Sequence, residues 1–411
     1  MKRYLLPIAV LALCGTANAM NGASDRSGQL PGGEIREERS TDTARPEDSL
    51  RMYRLQEIEV TATRATESTP VAYSQLTQDE IARNNFGFDI PSLLALSPSV
   101  IATNETGIGI GGTSVRLRGT DAQRLSVTIN GVSLNNPDSH SMYWYDTPDL
   151  VSSVGDMQIQ RGAGISTNGT GAFGGAVNMT TEALSTDFGG TAALSYGSYN
   201  TNKQAVQLSS GLLGGHWALD ARLTHIGSDG YIDRGSTDLK SYMFQAGYYS
   251  GSTMLKLVSF GGKAKTYLTY NGATKEEMAL YGRRYHTSGQ YLTSDGPFVL
   301  ADGTHVDYYA DQTDNYLQIN NQLLFSHRFN DRWTMNATGF YTYGYGFYKQ
   351  YKDDAWSVGY NNREGPDQAD LIRRKIMRNH LGGVQAAANY ASQRLALTFG
   401  GSYSYYSCPH W

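Results

Sequence analysis

The chain has 411 residues, a length typical of roughly two or three domains, and its formal net charge of −4 excludes a strongly basic surface of the kind that binds nucleic acid. Only 18% of the residues are charged, whereas tyrosine occurs 29 times and glycine 46 times, a mixture that favours short strands joined by tight turns. Of the two cysteines, Cys14 lies in an apparent export signal, so Cys408 has no partner for an intramolecular disulfide.

The first 19 residues are predicted to be a secretory signal peptide. Lys2 and Arg3 give a positive start, a short apolar run follows, and Ala17, Asn18 and Ala19 supply a small-x-small cleavage site. The apolar run is too short to span a membrane as a helix. A buried N-terminal helix is the alternative interpretation.

Residues 20–56 are polar and charged and lack aromatic clusters, which predicts a disordered linker. The pattern changes in residues 57–63. If this segment is extended, Ile58, Val60 and Ala62 point to one side and the polar residues between them point to the other. We therefore expect a short strand at the end of a flexible tether, with the first strand of the following domain as the alternative.

Residues 66–182 are predicted to form a compact mixed α/β domain. Thr77 and Glu80 have the spacing of a capping box at a helix start. The pair Asn130-Gly131 is a hairpin-turn signal, and Thr147-Pro148-Asp149 is a favourable helix start. Strands are predicted at 115–119, 125–129, 156–161 and 176–180.

After about residue 188 the sequence alternates with a period of two. Between Trp217 and Leu223, for example, every second residue is apolar and the intervening residues are Ala218, Asp220 and Arg222. Nine such strands are predicted, at 190–197, 203–212, 216–226, 240–250, 253–263, 314–328, 331–343, 381–392 and 394–406.

The connections between these strands favour a membrane barrel over a soluble β-sandwich, which is the alternative. Turns follow the even-numbered strands, whereas long loops are predicted at 264–313 and 344–380, as in outer-membrane barrels. Nine strands do not make a complete barrel for a domain of this size, because an open edge in lipid leaves backbone groups unpaired. The prediction is therefore an incomplete barrel, from a fragment or a prematurely ended product. A smaller barrel with a soluble periplasmic domain is the alternative.

No motif for catalysis occurs in the sequence. The glycine-rich stretch 107–112 does not lie between a strand and a helix of a dinucleotide-binding unit, and His140 with Met142 is too little for a metal site. We therefore expect no enzyme activity, no cofactor and no bound metal.

Three stretches in order resemble the TonB-dependent outer-membrane receptors, over residues 55–411. The segment 58–62 resembles the TonB box, 115–119 with 127–131 resembles the middle of the plug domain, and 160–162 with 171–179 resembles its end. The fold that this resemblance implies is mostly β: a small α/β plug followed by antiparallel transmembrane strands of a barrel that begins at 188.

The resemblance also implies roles for particular residues. The TonB box adds a strand to the energy-coupling protein TonB and comprises Glu57, Ile58, Glu59, Val60, Thr61, Ala62 and Thr63. Arginines of the plug lock it to the inner barrel wall, and the matching positions are Arg116, Arg118 and Arg161; ordinary surface arginines are the alternative. Outward loops of the plug contact the ligand, and the candidates are Asp121, Gln123, Tyr143, Trp144 and Tyr145, although the three aromatic residues could instead pack on the barrel wall.

The function that the resemblance implies is active import of a scarce, large solute across the bacterial outer membrane. The expected partners are TonB, outer-membrane lipid and a metal chelate, with an iron–siderophore complex as the leading ligand. Cobalamin, haem and glycans are less favoured ligands. A non-transporting surface receptor or adhesin is the alternative function, and an extracellular β-rich enzyme is a third.

Overall fold

The computed structural model describes residues 64–65, 71–163, 172–293, 296–299, 301, 306–360, 366–392 and 395–411. The predicted signal peptide, linker and TonB box therefore lie outside the described residues.

The first folded part is a mixed α/β domain. Its elements, in chain order, are β1 Ala72–Thr77, α1 Gln78–Asn84, α2 Ile90–Leu94, β2 Val100–Asn104, β3 Thr113–Leu117, β4 Leu125–Ile129, β5 Val132–Ser133, β6 Val154–Arg161 and β7 Gly175–Thr181. Five strands form one sheet in the order β1-β6-β7-β4-β5, in which only β4 and β7 are parallel, while β2 and β3 pair separately. The core of this sheet is apolar, with Ile129, Met157 and Ile159 at most 1% exposed.

Local sequence signals explain two of these elements. Helix α1 begins with the expected capping box, in which the Glu80 backbone N–H donates to Thr77 Oγ1 and the Thr77 backbone N–H donates to Glu80 Oε2 at 2.8 Å. The hairpin between β4 and β5 turns at Asn130 and Gly131, whose φ angles of 52° and 77° are those of a type I′ turn. Both predictions are confirmed.

The helix start predicted at Thr147 is wrong in detail. Only a short 3₁₀ helix, Leu150–Ser153, follows. Its N-cap residue, Asp149, has a left-handed φ of 54°, and the Asp149 side chain makes no capping hydrogen bond. Thr147 Oγ1 donates instead to the Trp144 carbonyl. The Asp149 carboxylate is bound by side chains of the following sheet, so a tertiary contact replaces the local cap.

The second folded part is a nine-stranded antiparallel sheet with inserted loops. Its elements are β8 Phe188–Tyr196, β9 Asn202–Ser210, β10 Trp217–Ser228, β11 Thr237–Tyr249, β12 Thr253–Tyr267, α3 Lys275–Tyr281, β13 Leu292–Thr293, β14 Gly296–Pro297, β15 Thr313–Arg328, β16 Trp333–Trp356, β17 Gln368–Ala391 and β18 Ala396–Ser407. Each long strand pairs with the next long strand in sequence, from β8 at one edge to β18 at the other. The nine strands predicted from period-two alternation are confirmed.

The two ends of this sheet differ. At one end, which we call the turn end, strands are joined by the short segments 211–216, 250–252, 329–332 and 392–395. At the other, the loop end, the connections include 268–312 and 357–367, although the first, 197–201, is also short. The loop predicted at 344–380 is wrong over most of its length, because β16 continues to Trp356 and β17 starts at Gln368. This hairpin extends past β15, whose pairing with β16 stops at Tyr348.

The sheet has a largely apolar exposed face and a buried face that carries many polar side chains. In β10 the exposed side chains include Trp217 and Leu223, whereas Asp220, Arg222 and Thr224 are 7%, 8% and 6% exposed. The buried face packs against the α/β domain, with contacts from β9 through β18, so the sheet wraps around that domain. This pattern reverses that of a soluble protein and is the one expected for strands surrounded by lipid.

Among the described residues, no helix is long and apolar enough to cross a membrane.

Candidate functional site

One contact between the α/β domain and the sheet is a short, buried ion pair. Lys203 Nζ of β9 donates to Asp149 Oδ1 at 2.6 Å, and both side chains are nearly excluded from solvent, with 12% and 2% exposed. Thr224 Oγ1 of β10 donates to the other carboxylate oxygen at 2.7 Å, and Ser152 Oγ donates to Oδ1 at 2.6 Å. Asp149 therefore anchors the domain to two strands at once.

A second ionic contact lies nearer the turn end. Arg222 Nη2 donates to Glu182 Oε2 at 3.5 Å, directly after β7. Lys256 of β12, only 3% exposed, donates to the Glu182 carbonyl at 3.1 Å and to Thr181 Oγ1 at 3.3 Å. Burial raises the pKa of the Glu182 carboxyl, and the nearby Arg222 guanidinium opposes that effect.

Neutral amides make the contact on the opposite side of the domain. Asn130 Nδ2 donates to Gln322 Oε1 of β15 at 2.9 Å, and Gln322 Nε2 donates back to the Ile129 carbonyl at 3.3 Å. Asn130 also accepts from the Thr181 backbone N–H at 3.0 Å, so the turn residue links β4, β7 and β15. These bonds satisfy buried polar groups that would otherwise destabilise the interface.

At the loop end, a narrow cleft separates the α/β domain from β15–β18. One wall is the segment 133–146, and Asn135 shapes it by donating to the carbonyls of Leu125 and His140, both at 2.9 Å. The other wall consists of strand residues, namely Gln318, Asn320, Thr342, Asn379, Leu381 and Tyr406. The two walls meet where Tyr406 Oη donates to Asn136 Oδ1 at 3.4 Å.

The cleft contains polar atoms with unused hydrogen-bonding capacity. Asn320 is 2% exposed and Asn379 is 6% exposed, yet Asn320 Nδ2 and Asn379 Oδ1 have no hydrogen-bond partner within the described part of the chain. Asp146 lines the same cleft, and burial, together with the nearby Asp314, raises the pKa of its carboxyl well above the usual range. This arrangement can supply donors and acceptors to a polar ligand.

The three predicted locking arginines make none of the contacts described above. Arg161 donates to Ser74 Oγ at 2.6 Å and to the Tyr73 carbonyl at 3.4 Å, which are both in β1 of its own domain. Arg116 and Arg118 are exposed. Among the described residues, the ion pairs between the domain and the sheet have cations on the sheet and carboxylates on the domain, and the arginine lock stays a prediction.

The structure places the five predicted ligand residues in different surroundings. Tyr143 is 40% exposed and lines the cleft, whereas Trp144 is 3% exposed and belongs to the apolar core; the role of both in ligand binding stays a prediction. Tyr145 packs toward the sheet and donates to Asp314 Oδ2 at 3.2 Å. Asp121 and Gln123 are exposed beside β4 and do not line the cleft. Sequence reasoning missed Asn320 and Asn379, since amides at inward strand positions give no motif.

The segment that follows the predicted TonB box is fixed to β6. Arg64 forms an ion pair of 2.5 Å with Asp156. The Ala65 backbone N–H donates to Gln158 Oε1 at 2.7 Å, and Gln158 Nε2 donates to the Ala65 carbonyl at 2.9 Å. The Gln158 side chain thus binds both the backbone N–H and the backbone carbonyl of Ala65.

The comparison with protein families identifies the α/β domain. Residues 65–176 match the family model of the TonB-dependent Receptor Plug Domain. The chain contains a TonB-dependent receptor plug domain. The sheet that wraps the plug corresponds to a part of the barrel of such receptors, because the fold of 86% of the chain matches a solved receptor structure.

Three solved structures illustrate this match. The siderophore receptor PiuA from Acinetobacter baumannii aligns with a TM-score of 0.60 at 15% identity, covering 86% of this chain and 49% of that one. The ferric-catecholate import receptor Fiu from E. coli K12, in its closed form, gives 0.61 at 14%, covering 85% and 48%. FpvA of P. aeruginosa, bound to pyoverdine and iron, gives 0.61 at 12%, covering 86% and 45%.

The chain spans about half the length of the solved receptors that it matches. At these identities the likeness establishes the fold. A search of curated proteins found no match. The family of the plug is one of receptors and not of enzymes, and no group of three or more His, Cys, Asp or Glu side chains in the described residues is arranged to hold a metal ion.

Proposed function

We propose that the receptor to which this chain belongs imports an iron–siderophore complex across the bacterial outer membrane, with energy supplied through TonB. The observation that carries this proposal is a plug domain packed against strands whose exposed face is largely apolar and whose buried face carries many polar side chains. Such a sheet is stable with lipid outside and a protein stopper inside, which is the arrangement of a gated pore. Of the similar solved structures, PiuA is described as a siderophore receptor and Fiu as a ferric-catecholate import receptor, and FpvA is described in complex with pyoverdine and iron.

The outward cleft is the proposed entry to the binding site. Its lining amides, together with Tyr143, suit a ligand that presents many hydrogen-bonding oxygens around an enclosed metal ion. The unused atoms of Asn320 and Asn379 favour ligands with both donors and acceptors. Burial, together with the nearby Asp314, raises the pKa of the Asp146 carboxyl, which favours its neutral form in the cleft.

The proposed energy transfer starts at residues 57–63. A strand added to TonB through backbone hydrogen bonds can bear a load along the chain. That load reaches the plug at Arg64 and Ala65, which are held by Asp156 and Gln158 of β6. A pull on residues 57–63 would therefore act on β6, which lies between β1 and β7 in the plug sheet.

The test compares two deletions of equal length in cells that lack other iron receptors. Removal of 57–63 is expected to preserve binding of the radiolabelled iron chelate at the cell surface and to abolish its accumulation. Removal of 40–46 from the linker is the matched control and should leave both unchanged. Accumulation that survives the loss of 57–63 would refute import through TonB, and binding without any energy-dependent accumulation in the intact receptor would indicate a non-transporting surface receptor.

A further inference from the structure

The wall beside the outward cleft is uncharged from the cleft to near the turn end. Its strand segments are 318–326 of β15, 334–342 of β16, 379–389 of β17 and 398–406 of β18, and none of them contains a Lys, Arg, Asp or Glu residue. On the β9–β12 wall, by contrast, the buried side chains include Asp220, Arg222 and Lys256. The β15–β18 wall therefore presents no such charge to the plug over these segments.

The outward cleft ends at the β4–β5 turn of the plug. Asn320 lines the cleft, and Gln322, the next residue on the same face of β15 toward the turn end, is 2% exposed. Asn130 Nδ2 of the turn donates to Gln322 Oε1 at 2.9 Å, and Gln322 Nε2 donates to the Ile129 carbonyl at 3.3 Å. The turn thus closes the way along β15 with neutral hydrogen bonds.

The same turn lies close to β17. Gly131 has a positive φ of 77°, and Gln385 Nε2 lies 3.1 Å from the position that a β-carbon on Gly131 would occupy. The absence of a side chain at Gly131 lets the backbone of the turn approach the strand closely. The turn therefore reaches both β15 and β17 with amide groups facing it from the wall.

The turn is bound to the part of the plug on which a pull would act. Asn130 Oδ1 accepts from the Thr181 backbone N–H at 3.0 Å, and the Asn130 backbone N–H donates to the Met179 carbonyl at 2.9 Å, so both bonds go to β7. Strand β7 pairs with β6, which holds Arg64 and Ala65. Movement of β6 away from the wall would therefore carry the turn with it.

The bonds that hold the turn are readily exchanged. Because Asn130 and Gln322 are neutral, water or a ligand can replace their hydrogen bond at small net cost. Separation from β9 would instead break the buried ion pair between Lys203 and Asp149. A path must also release what it binds, and repeated weak sites release a solute more readily than strong ones. The uncharged wall meets both requirements.

We propose that the β4–β5 turn, Asn130-Gly131, is the gate of the import path, and that the opened path runs along the plug-facing side of β15–β18. This inference rests on the proposed import function and assigns its route to one wall among the described strands. Gln322 and Gln385 hold the closed gate and, once it opens, offer exchangeable hydrogen bonds to the oxygen atoms of a passing iron chelate.

The experiment measures when a thiol beyond the gate becomes accessible. Thr338→Cys places it on β16, where Thr338 is 4% exposed and lies two residues nearer the turn end than Phe340, the register partner of Gln322. Val258→Cys is the matched control, because valine has the shape of threonine and Val258, which is 0% exposed on β12, pairs with Gln322 in the register. Neither change touches the bonds of the gate.

The intact receptor is used in cells that lack other iron receptors, with its remaining cysteines replaced by serine. A membrane-impermeant methanethiosulfonate is added from outside, with and without the chelate that the wild type accumulates from ferric catecholate, ferric hydroxamate and ferric citrate. The thiol at position 338 should react at least about 10-fold faster during uptake, since a closed state leaves the open form populated at about 10% or less. Deletion of 57–63 should abolish this rise, and the thiol at position 258 should stay unreactive throughout.

A second variant tests the identity of the gate. Gln322→Ala, combined with Thr338→Cys, removes both bonds to the turn and should raise the reaction rate without any chelate. Uptake that proceeds while the thiol at position 338 stays shielded, a faster reaction at position 258, or an unchanged resting rate in Gln322→Ala would overturn the proposal. These results leave import itself intact, whereas accumulation in the wild type that does not depend on 57–63 would refute the proposed function.

Discussion

The ion pair between Lys203 and Asp149 gives the sharpest test of how the plug is held. Replacing Asp149 by Asn keeps the shape of the side chain and suits the left-handed backbone at this position, since Asn tolerates positive φ. It removes the charge that neutralises Lys203, whose side chain is 12% exposed at 2.6 Å from the carboxylate. The Lys203 ammonium group then lacks its carboxylate partner in a site that is nearly excluded from solvent.

The expected cost follows from burial. Removing one partner of a buried pair costs about 3–5 kcal/mol. Lys203 also lines an open crevice between α1 and β8–β10, so partial hydration should reduce the cost to about 2–3 kcal/mol. The variant Lys203→Met leaves Asp149 with the Thr224 and Ser152 hydroxyls as donors, and we expect a smaller loss of about 1–2 kcal/mol.

The double variant decides whether the charges interact. With both charges removed, Asp149→Asn/Lys203→Met should lose less than the sum of the single changes, by a coupling of about 1.5–3 kcal/mol. The measurement is urea-dependent pulse proteolysis of the chain in micelles, with cleavage read within the plug. Asp121→Asn, which removes an exposed pair with Arg124 at 3.8 Å, is the control and should change stability by less than about 0.5 kcal/mol. Additive single losses, or a loss below 0.5 kcal/mol for Asp149→Asn, would refute the argument.

Three further predictions concern the plug itself. Thr77→Ala removes the capping box of α1 and should lower stability by about 1 kcal/mol, measured by thermal unfolding, whereas Thr77→Ser should not. Burial raises the pKa of Asp89 to about 7. The folded state therefore retains a proton that the unfolded state loses near pH 4, and this contribution to stability is present at low pH and disappears as the pH rises to 7. Asp89→Asn should thus gain stability relative to the wild type by up to about 1.4 kcal/mol per pH unit over that interval, and a flat difference between the two unfolding curves would contradict this. Gly175→Ala should cost about 2–3 kcal/mol, because the added Cβ would lie 2.3 Å from Leu117 Cδ2 and 2.5 Å from a backbone carbonyl. Gly119→Ala, where φ is also positive but no atom lies within 4 Å, should cost less in the same unfolding assay.

Period-two alternation predicted the barrel strands because it reflects a local requirement. Each strand must present apolar side chains such as Trp217 to one side and polar side chains such as Arg222 to the other, whatever its neighbours are. Alternation failed to predict the far ends of β16 and β17. Beyond Tyr343 the two strands pair charged with aromatic residues, as where Arg374 lies 3.6 Å from the ring centre of Phe347. Such pairs depend on a partner about thirty residues away and leave no alternating apolar signal in either strand.

The polarity of the plug–barrel ion pairs could not be predicted for a related reason. A sequence shows that Arg116, Arg118 and Arg161 are cations in the plug, but it does not show which of them faces the wall. In the structure, Arg161 donates to β1 of its own domain. Asp149 and Glu182 are the plug residues that form ion pairs with β9 and β10. Selection of this kind depends on the orientation of the whole domain within the sheet, which no local pattern encodes.

The described strands hold the plug unequally, and this inequality bears on how the plug would separate from them. Toward β11 and β12 it joins an apolar cluster in which Met243, Val258 and Phe260 are at most 5% exposed, so separation there exposes apolar surface to water. Toward β15–β18 the polar contacts are mainly hydrogen bonds of amides and tyrosine hydroxyls, with the outward cleft already between the walls. Water can replace hydrogen bonds between neutral groups at small net cost. We therefore expect a load on β6 to separate the plug first from the β15–β18 wall, while the β11–β12 contact acts as the hinge.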